Sequence, residues 1–129
     1  MKILFVEDDP MNRSVVKAML EVAGATMTGA ENAYVGLELI DQESFDLILM
    51  DLRMPGMDGL TAIRKIRERG DDKGRLPIIV VTADTAADLR ASCISGGADD
   101  LIMKPVAMGL LFDAIAKVLV DKGSASAAI

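Results

Sequence analysis

Histidine and tryptophan are absent from the 129 residues, and Cys93 is the single cysteine. Without imidazole, the usual zinc sites and every His-based catalytic triad are excluded, and one thiol cannot close an intramolecular disulfide. Positive charge is also short. Lys plus Arg total 14 against 20 Asp plus Glu, a formal charge of −6, so long-range attraction to nucleic-acid phosphates is disfavoured and no nucleic-acid partner is expected. No apolar run approaches the roughly 18 residues that a membrane helix needs. The first apolar stretch, Met1 to Val6, ends in Glu7, Asp8 and Asp9 and has neither the length nor the cleavage chemistry of a secretory signal. A cytoplasmic protein without a membrane partner is the expectation.

What is present suffices for one core. Hydrophobic residues make up 51% of the chain and charged residues 26%, which excludes general disorder and fits a single domain of ordinary size. Five short apolar runs recur: Ile3 to Val6, Thr26 to Ala30, Leu47 to Met50, Ile78 to Val81 and Leu101 to Met103. Three are nearly continuous in aliphatic residues, as strands buried on both faces of a parallel sheet must be. The second is more polar and belongs near an edge.

Helical spacing fills the gaps. Pro10 to Ala23 carries Val15, Val16, Met19, Leu20 and Ala23 on one side, with Asp9 as N-cap and Gly24 as its stop. The spacing predicts further helices over 33–43 with Asn32 as cap, 58–69 closed by Gly70, 85–95 ending at Gly96 and Gly97, and 108–120. The fourth has a thin apolar face of Ala86, Leu89 and Cys93. Gly70 to Arg75 reads as a polar connection. Strands alternating with helices imply a three-layer α/β/α sandwich with right-handed crossovers, too short for a (β/α)₈ barrel. Ligands of such sheets bind at the carboxyl ends of the strands.

The residues that follow the runs collect at that edge: Glu7, Asp8 and Asp9, then Asp51, Thr82 and Lys104. Clustered carboxylates raise one another's pKa unless a cation intervenes. Only oxygen ligands are on offer, so a hard ion is indicated, Mg²⁺ or Mn²⁺, with Lys104 as a second positive charge able to hold an anion. Metal, ammonium and hydroxyl around one carboxylate form a phosphoryl-transfer site with Asp51 as nucleophile.

Val-Glu-Asp-Asp-Pro at 6–10, Leu-Met-Asp-Leu-Arg-Met-Pro-Gly-Met-Asp-Gly at 49–59, Val-Thr-Ala at 81–83 and Lys-Pro at 104–105 resemble the receiver domain of two-component response regulators. Order and spacing both match, over about residues 2 to 121. The resemblance implies a flavodoxin-like (CheY-like) fold, a five-stranded parallel sheet in the order 2-1-3-4-5. It implies that Asp51 accepts phosphate from a histidine kinase or histidine phosphotransfer protein. The ion would be held by Asp8, Asp51 and the backbone carbonyl of Arg53, with Glu7 acting through water. Thr82, Ala83 and Lys104 would bind the phosphoryl group once it is on Asp51, and a cis peptide before Pro105 would aim Lys104. The implied role is a switch rather than an enzyme, with self-catalysed phosphotransfer and autodephosphorylation only. Its output would pass to a downstream protein through the fourth helix, fifth strand and fifth helix.

Departures from the family's pattern sharpen these expectations. Receivers often carry an aromatic ring three residues before the lysine, where this chain has Leu101. Arg53 and Asp84 stand at positions that tune phosphoryl lifetime in the family, and as opposite charges they could pair across the pocket mouth. Asp58 reads as a helix cap, as does Asp9. Of the nine methionines, Met19, Met50 and Met103 read as core, and Met11, Met54, Met57 and Met108 as a soft rim. Arg64, Lys65, Arg67 and Arg69 read as a solvated helix end. The expected division is a receiver over 1–121 and a short flexible tail over 122–129, and Met1 just before the first strand with the Ala-Ser tail makes a stand-alone regulator the expectation over a receiver excised from a larger regulator or hybrid kinase. Two rivals fare worse. A haloacid-dehalogenase-type aspartyl phosphatase needs an acid where Arg53 stands. A flavodoxin-like cofactor carrier lacks a phosphate loop after the first strand and has only Phe5, Tyr34, Phe45 and Phe112 as aromatics.

Overall fold

The apolar runs pair edge to edge because each can bury both of its faces. In the computed structural model, which describes residues 1–123, β1 (Lys2–Val6), β2 (Thr26–Ala30), β3 (Leu47–Asp51), β4 (Ile78–Thr82) and β5 (Asp100–Met103) form one parallel sheet in the order β2-β1-β3-β4-β5. Alternate residues serve opposite layers, as a strand's period of two requires. Leu4, Val6, Ile48, Met50, Ile78 and Val80 face one core, and Ile3, Phe5, Leu47, Leu49, Ile79 and Val81 face the other. All twelve are at most 1% exposed, and each such side chain contributes roughly 1.5–3 kcal/mol relative to remaining in water.

The first core is covered by α2 (Ala33–Gln42), α3 (Gly59–Arg67) and α4 (Leu89–Ser95), through Ile40, Ile63, Ile66 and Cys93. The second is covered by α1 (Pro10–Val22) and α5 (Met108–Asp121), through Val16, Leu20, Leu111, Ile115 and Val118. The expected caps form. Asp9 accepts from the Met11 N–H at 2.8 Å, Asn32 from Val35 at 2.9 Å and Asp58 from Thr61 at 2.8 Å. Gly24 adopts φ 81° just after α1, a left-handed conformation that glycine takes without steric cost.

Several boundaries and surfaces differ from the sequence expectations. The fourth helix begins at Leu89 rather than Thr85, because Asp84 organises the preceding loop: its backbone N–H donates to Thr82 Oγ1 at 3.1 Å and its carboxylate accepts from the Ala86 N–H at 2.9 Å. Ala86 is therefore exposed in a loop instead of packing on a helix face. The third helix ends at Arg67 with Glu68 as its C-cap, so Gly70 does not close it, and Asp72–Arg75 forms a short 3₁₀ turn. Arg67 is not solvated. Its guanidinium donates to the carbonyls of Gly97, Gly74 and Leu76 at 2.8, 3.0 and 2.6 Å and pairs with Asp99 at 3.0 Å. Met103 is 40% exposed and Met54 only 9%, which reverses their expected places: Met54 turns into the α2–α3 core, whereas Met103 ends an edge strand. Lys122 reaches Asp99 at 3.3 Å and the Arg75 carbonyl at 3.2 Å. The rest of the expected tail, 124–129, lies outside the described residues.

One close approach ties the fold to the carboxyl edge. A Cβ on Gly59 would stand 2.2 Å from the carbonyl oxygen of Asp51, so only glycine lets α3 start directly against the end of β3. The neighbouring cap is open to titration. The Asp58 carboxyl is held below its ordinary range first by the Thr61 backbone N–H and then by the Thr61 hydroxyl. A depressed carboxyl pKa contributes stability that is present above the unfolded-state value and is lost as pH falls through the folded one. Asp58→Ala should cost about 1 kcal/mol at neutral pH, and the difference should shrink below about pH 4. Urea unfolding of both proteins at the two pH values checks this.

Candidate functional site

The carboxyl ends of β1, β3, β4 and β5 deliver their terminal residues to one cleft. It encloses about 450 Å³ and is lined by Glu7, Asp8, Asp9, Asn12, Asp51, Arg53, Thr82, Ala83, Asp84 and Lys104. Every residue that the strand-end reading placed on this rim lines it. Glu7 is 0% exposed, Asp51 4% and Thr82 1%, while Asp8 is exposed. Ligand oxygens of Glu7, Asp8 and Asp51 lie within 4.8 Å of one another.

Lys104 holds the acids together. Its ammonium lies 2.6 Å from Glu7 Oε1 and 3.4 Å from Asp51 Oδ1, so at rest the tighter partner is Glu7. The Lys104–Pro105 peptide is cis, as the family resemblance implied, and the Lys104 N–H donates to the Thr82 carbonyl at 2.8 Å. Burial, and then the adjoining Asp51 carboxyl, push the Glu7 carboxyl above the usual carboxylate range, against the pull of Lys104. Burial pulls the Lys104 ammonium the other way, but its bond to Glu7 and the charge of Asp51 outweigh that and leave it raised. The pair therefore sits in a cleft where charge is costly unless it is matched.

A hard cation suits this donor set. Every side-chain ligand offered is a carboxylate oxygen, and Glu7 Oε2 is buried with no hydrogen-bond partner among the described residues. A buried acceptor without a donor costs about 1–3 kcal/mol, a penalty that an ion or its bound water removes.

Arg53 and Asp84 pair across the mouth of the cleft. Arg53 is exposed there, with its pKa raised by Asp84. Leu101, at the position where receivers often carry an aromatic ring, is partly buried against the α3–α4 side of the core. Asn12 was missed by sequence reasoning. It donates to Glu7 Oε1 at 2.9 Å, and the available signal was that helical side chains lean toward the helix N-terminus, here directly into the cleft.

The response regulator receiver domain family matches residues 3–116. The sensor protein GacS of Pseudomonas syringae pv. syringae is 37% identical over 118 residues, 90% of this chain but 13% of that protein. Response regulator MprA of Mycobacterium ulcerans is 36% identical over 107 residues, 83% of this chain and 45% of MprA. The chain thus spans less than half the length of these curated relatives. Among solved structures, the receiver domain of sensor histidine kinase PA1611 from Pseudomonas aeruginosa PAO1, with a magnesium ion coordinated in its active-site cleft, aligns at TM-score 0.79 and 34% identity over 95% of this chain and 98% of that one. A CheY-like receiver domain protein from Methanospirillum hungatei JF-1 aligns at TM-score 0.85 and 30% identity, covering 97% and 98%. The chain belongs to the response regulator receiver domain family, whose members are phosphoacceptor switches of two-component signalling. No helix among the described residues is long and apolar enough to cross a membrane.

Because Lys104 compensates two buried acids, Lys104→Met should lower stability at pH 7.5 by about 1–3 kcal/mol. The deficit should narrow as pH is lowered to 5, because a carboxyl raised by burial protonates more readily than an ordinary one and, once protonated, no longer needs the ammonium. Denaturant unfolding at the two pH values measures it, and an equal deficit at both would be the contrary result.

Proposed function

We propose that Asp51 is the phosphoacceptor of this domain and that the cleft uses Mg²⁺, or Mn²⁺ in its place. The observation that carries the reading is the Lys104 ammonium 3.4 Å from the Asp51 carboxylate, with Asp8 and the hydroxyl of Thr82 lining the same cleft. Asp8, Asp51 and the backbone carbonyl of Arg53 would hold the ion, with Glu7 acting on it through bound water. The ion supplies neutralisation of phosphoryl oxygen charge.

An Asp51 oxygen attacks the phosphorus of a phosphohistidine on a histidine kinase or histidine phosphotransfer protein. The new P–O bond forms as the P–N bond breaks, and the imidazole nitrogen keeps the electron pair. The acyl phosphate adds roughly 1.5 to 2 negative charges, by analogy with other phosphorylated side chains. Lys104 pairs with it, and Thr82 and Ala83 provide hydrogen bonds to its oxygens. The Thr82 hydroxyl also accepts from the Asp84 N–H, so its bond to a phosphoryl oxygen engages a residue already tied to the loop before α4. Converting a 1:99 equilibrium to 99:1 takes about 5.5 kcal/mol, within reach of several charge-assisted bonds in a sheltered cleft.

With Leu101 in place of a ring, the signal passes through Thr82 and the Asp84 loop to α4. A downstream protein reads it at the face of α4, β5 and α5. The Arg53–Asp84 pair tunes phosphoryl lifetime at the mouth. The same chemistry serves whether the chain acts alone or within a longer protein.

Incubation with acetyl phosphate and Mg²⁺, followed by intact mass measurement, should give a single hydroxylamine-sensitive phosphoryl adduct on the wild type and none on Asp51→Asn. A label that persists in Asp51→Asn would exclude Asp51 as acceptor. Calorimetric titration with MgCl₂ should show Asp8→Ala binding at least about tenfold more weakly than wild type; equal affinity would remove Asp8 from the ligand set.

A further inference from the structure

Glu7 is gripped from helix α1 as well as from the sheet. Asn12, half-buried on the first turn of that helix, donates from Nδ2 to Glu7 Oε1 at 2.9 Å, and Lys104 Nζ reaches the same oxygen at 2.6 Å. Arg13, the next residue, donates to the Glu7 carbonyl at 2.5 Å. One helical turn thus holds both the main chain and the side chain of the residue. Two donors converge on Oε1, while Oε2 is buried without a partner among the described residues. A free carboxylate rotates between equivalent oxygens, so the donors on Oε1 decide which oxygen is left for the ion.

We propose that Asn12 is a positioning residue, keeping Glu7 Oε1 engaged so that Oε2 stays available to the cation's hydration shell, and continuing to do so when Lys104 is drawn away. The inference rests on the Mg²⁺-dependent phosphoacceptor reading of the cleft. Lys104 stands between Glu7 and Asp51, and a phosphoryl group on Asp51 competes for its ammonium. Once the ammonium has moved, Asn12 is the remaining side-chain donor on Oε1 among the described residues. A neutral amide suits the task. It orients the carboxylate without cancelling its charge, whereas a lysine or arginine at the same place would compete with the ion.

The test is calorimetric titration of unphosphorylated protein with MgCl₂, comparing wild type, Asn12→Leu, Asn12→Gln and Asp8→Ala. Asn12→Leu should bind Mg²⁺ about tenfold more weakly, at the low end for loss of an outer-shell partner. Asn12→Gln, which restores the amide on a longer arm, should recover most of that loss. The urea midpoint without Mg²⁺ should fall by no more than one hydrogen bond to a charged group contributes, because Lys104 still holds Oε1.

Affinity of Asn12→Leu within about twofold of wild type, less than one hydrogen bond to a charged group contributes, would overturn the role if Asp8→Ala is weakened alongside. A lowered Mg²⁺-free midpoint with unchanged affinity would overturn it too, as a purely structural contact. Unweakened binding by Asp8→Ala would instead overturn the metal reading beneath it. If Asn12→Leu fails to fold, the wild-type Asn12 side-chain amide is followed by NMR. Asn12 amide protons that shift with the same Mg²⁺ dependence as the Asp8 amide support the role, and amide protons insensitive to Mg²⁺ overturn it.

Discussion

Like charges gathered in a sheltered cleft repel, and the closing of this sheet forces such a gathering. A parallel sheet points all its strands the same way, so the polar residues at the carboxyl ends of β1 and β3 are carried to one edge whether or not they attract. Glu7, Asp8 and Asp51 arrive together, and the end of β5 supplies the opposing charge in Lys104. That ammonium is the constraint on which the resting cleft depends. Its shorter contact is to Glu7, the more buried acid, which leaves Asp51 less tightly held and better placed to meet an incoming group.

The cleft is joined to the rest of the molecule by polar bonds as well as packing. Thr82 Oγ1 accepts from the Asp84 N–H, Asp84 binds Ala86 and Arg53, and α4 begins only at Leu89, without a side-chain cap. A change at Thr82 therefore meets a loop held by a few exchangeable bonds rather than a packed helix turn. At the opposite end of the sheet, Arg67 binds three carbonyls and Asp99, tying α3 to the loops around β4 and β5. The stiffly bonded end and the loosely capped end are thus divided between the two edges of one sheet.

Much of this was legible before any coordinates. Runs such as Leu47 to Met50 and Ile78 to Val81 can be satisfied only by burial on both faces, and Asp9, Asn32 and Asp58 announce helix starts by their chemistry. Reading one residue past each run found Glu7, Asp51, Thr82 and Lys104 because strand polarity alone delivers them to the same edge. The misses have local causes. Asp84 diverted the chain from an early α4 by bonding its own loop, a competition between side-chain and helical hydrogen bonds that spacing does not reveal. Arg67 resembles its solvated neighbours Arg64 and Lys65 in type and differs only in what the folded loops bring over it. Asn12 looks like an ordinary residue of an amphipathic helix until α1 is laid against β1.

The order of apolar and polar residues along the chain determined by itself the alternating elements, the two-sided sheet and the set of groups at its carboxyl edge, because these follow from periodicity and from the direction of parallel strands. Tertiary structure alone decided which of those groups touch. It set Lys104 closer to Glu7 than to Asp51, placed Asn12 on the same carboxylate oxygen as Lys104 and paired Arg53 with Asp84. Such choices turn on ångström differences between elements distant in sequence, and hydrogen-bond and ion-pair energies in a low-dielectric cleft change steeply over that range.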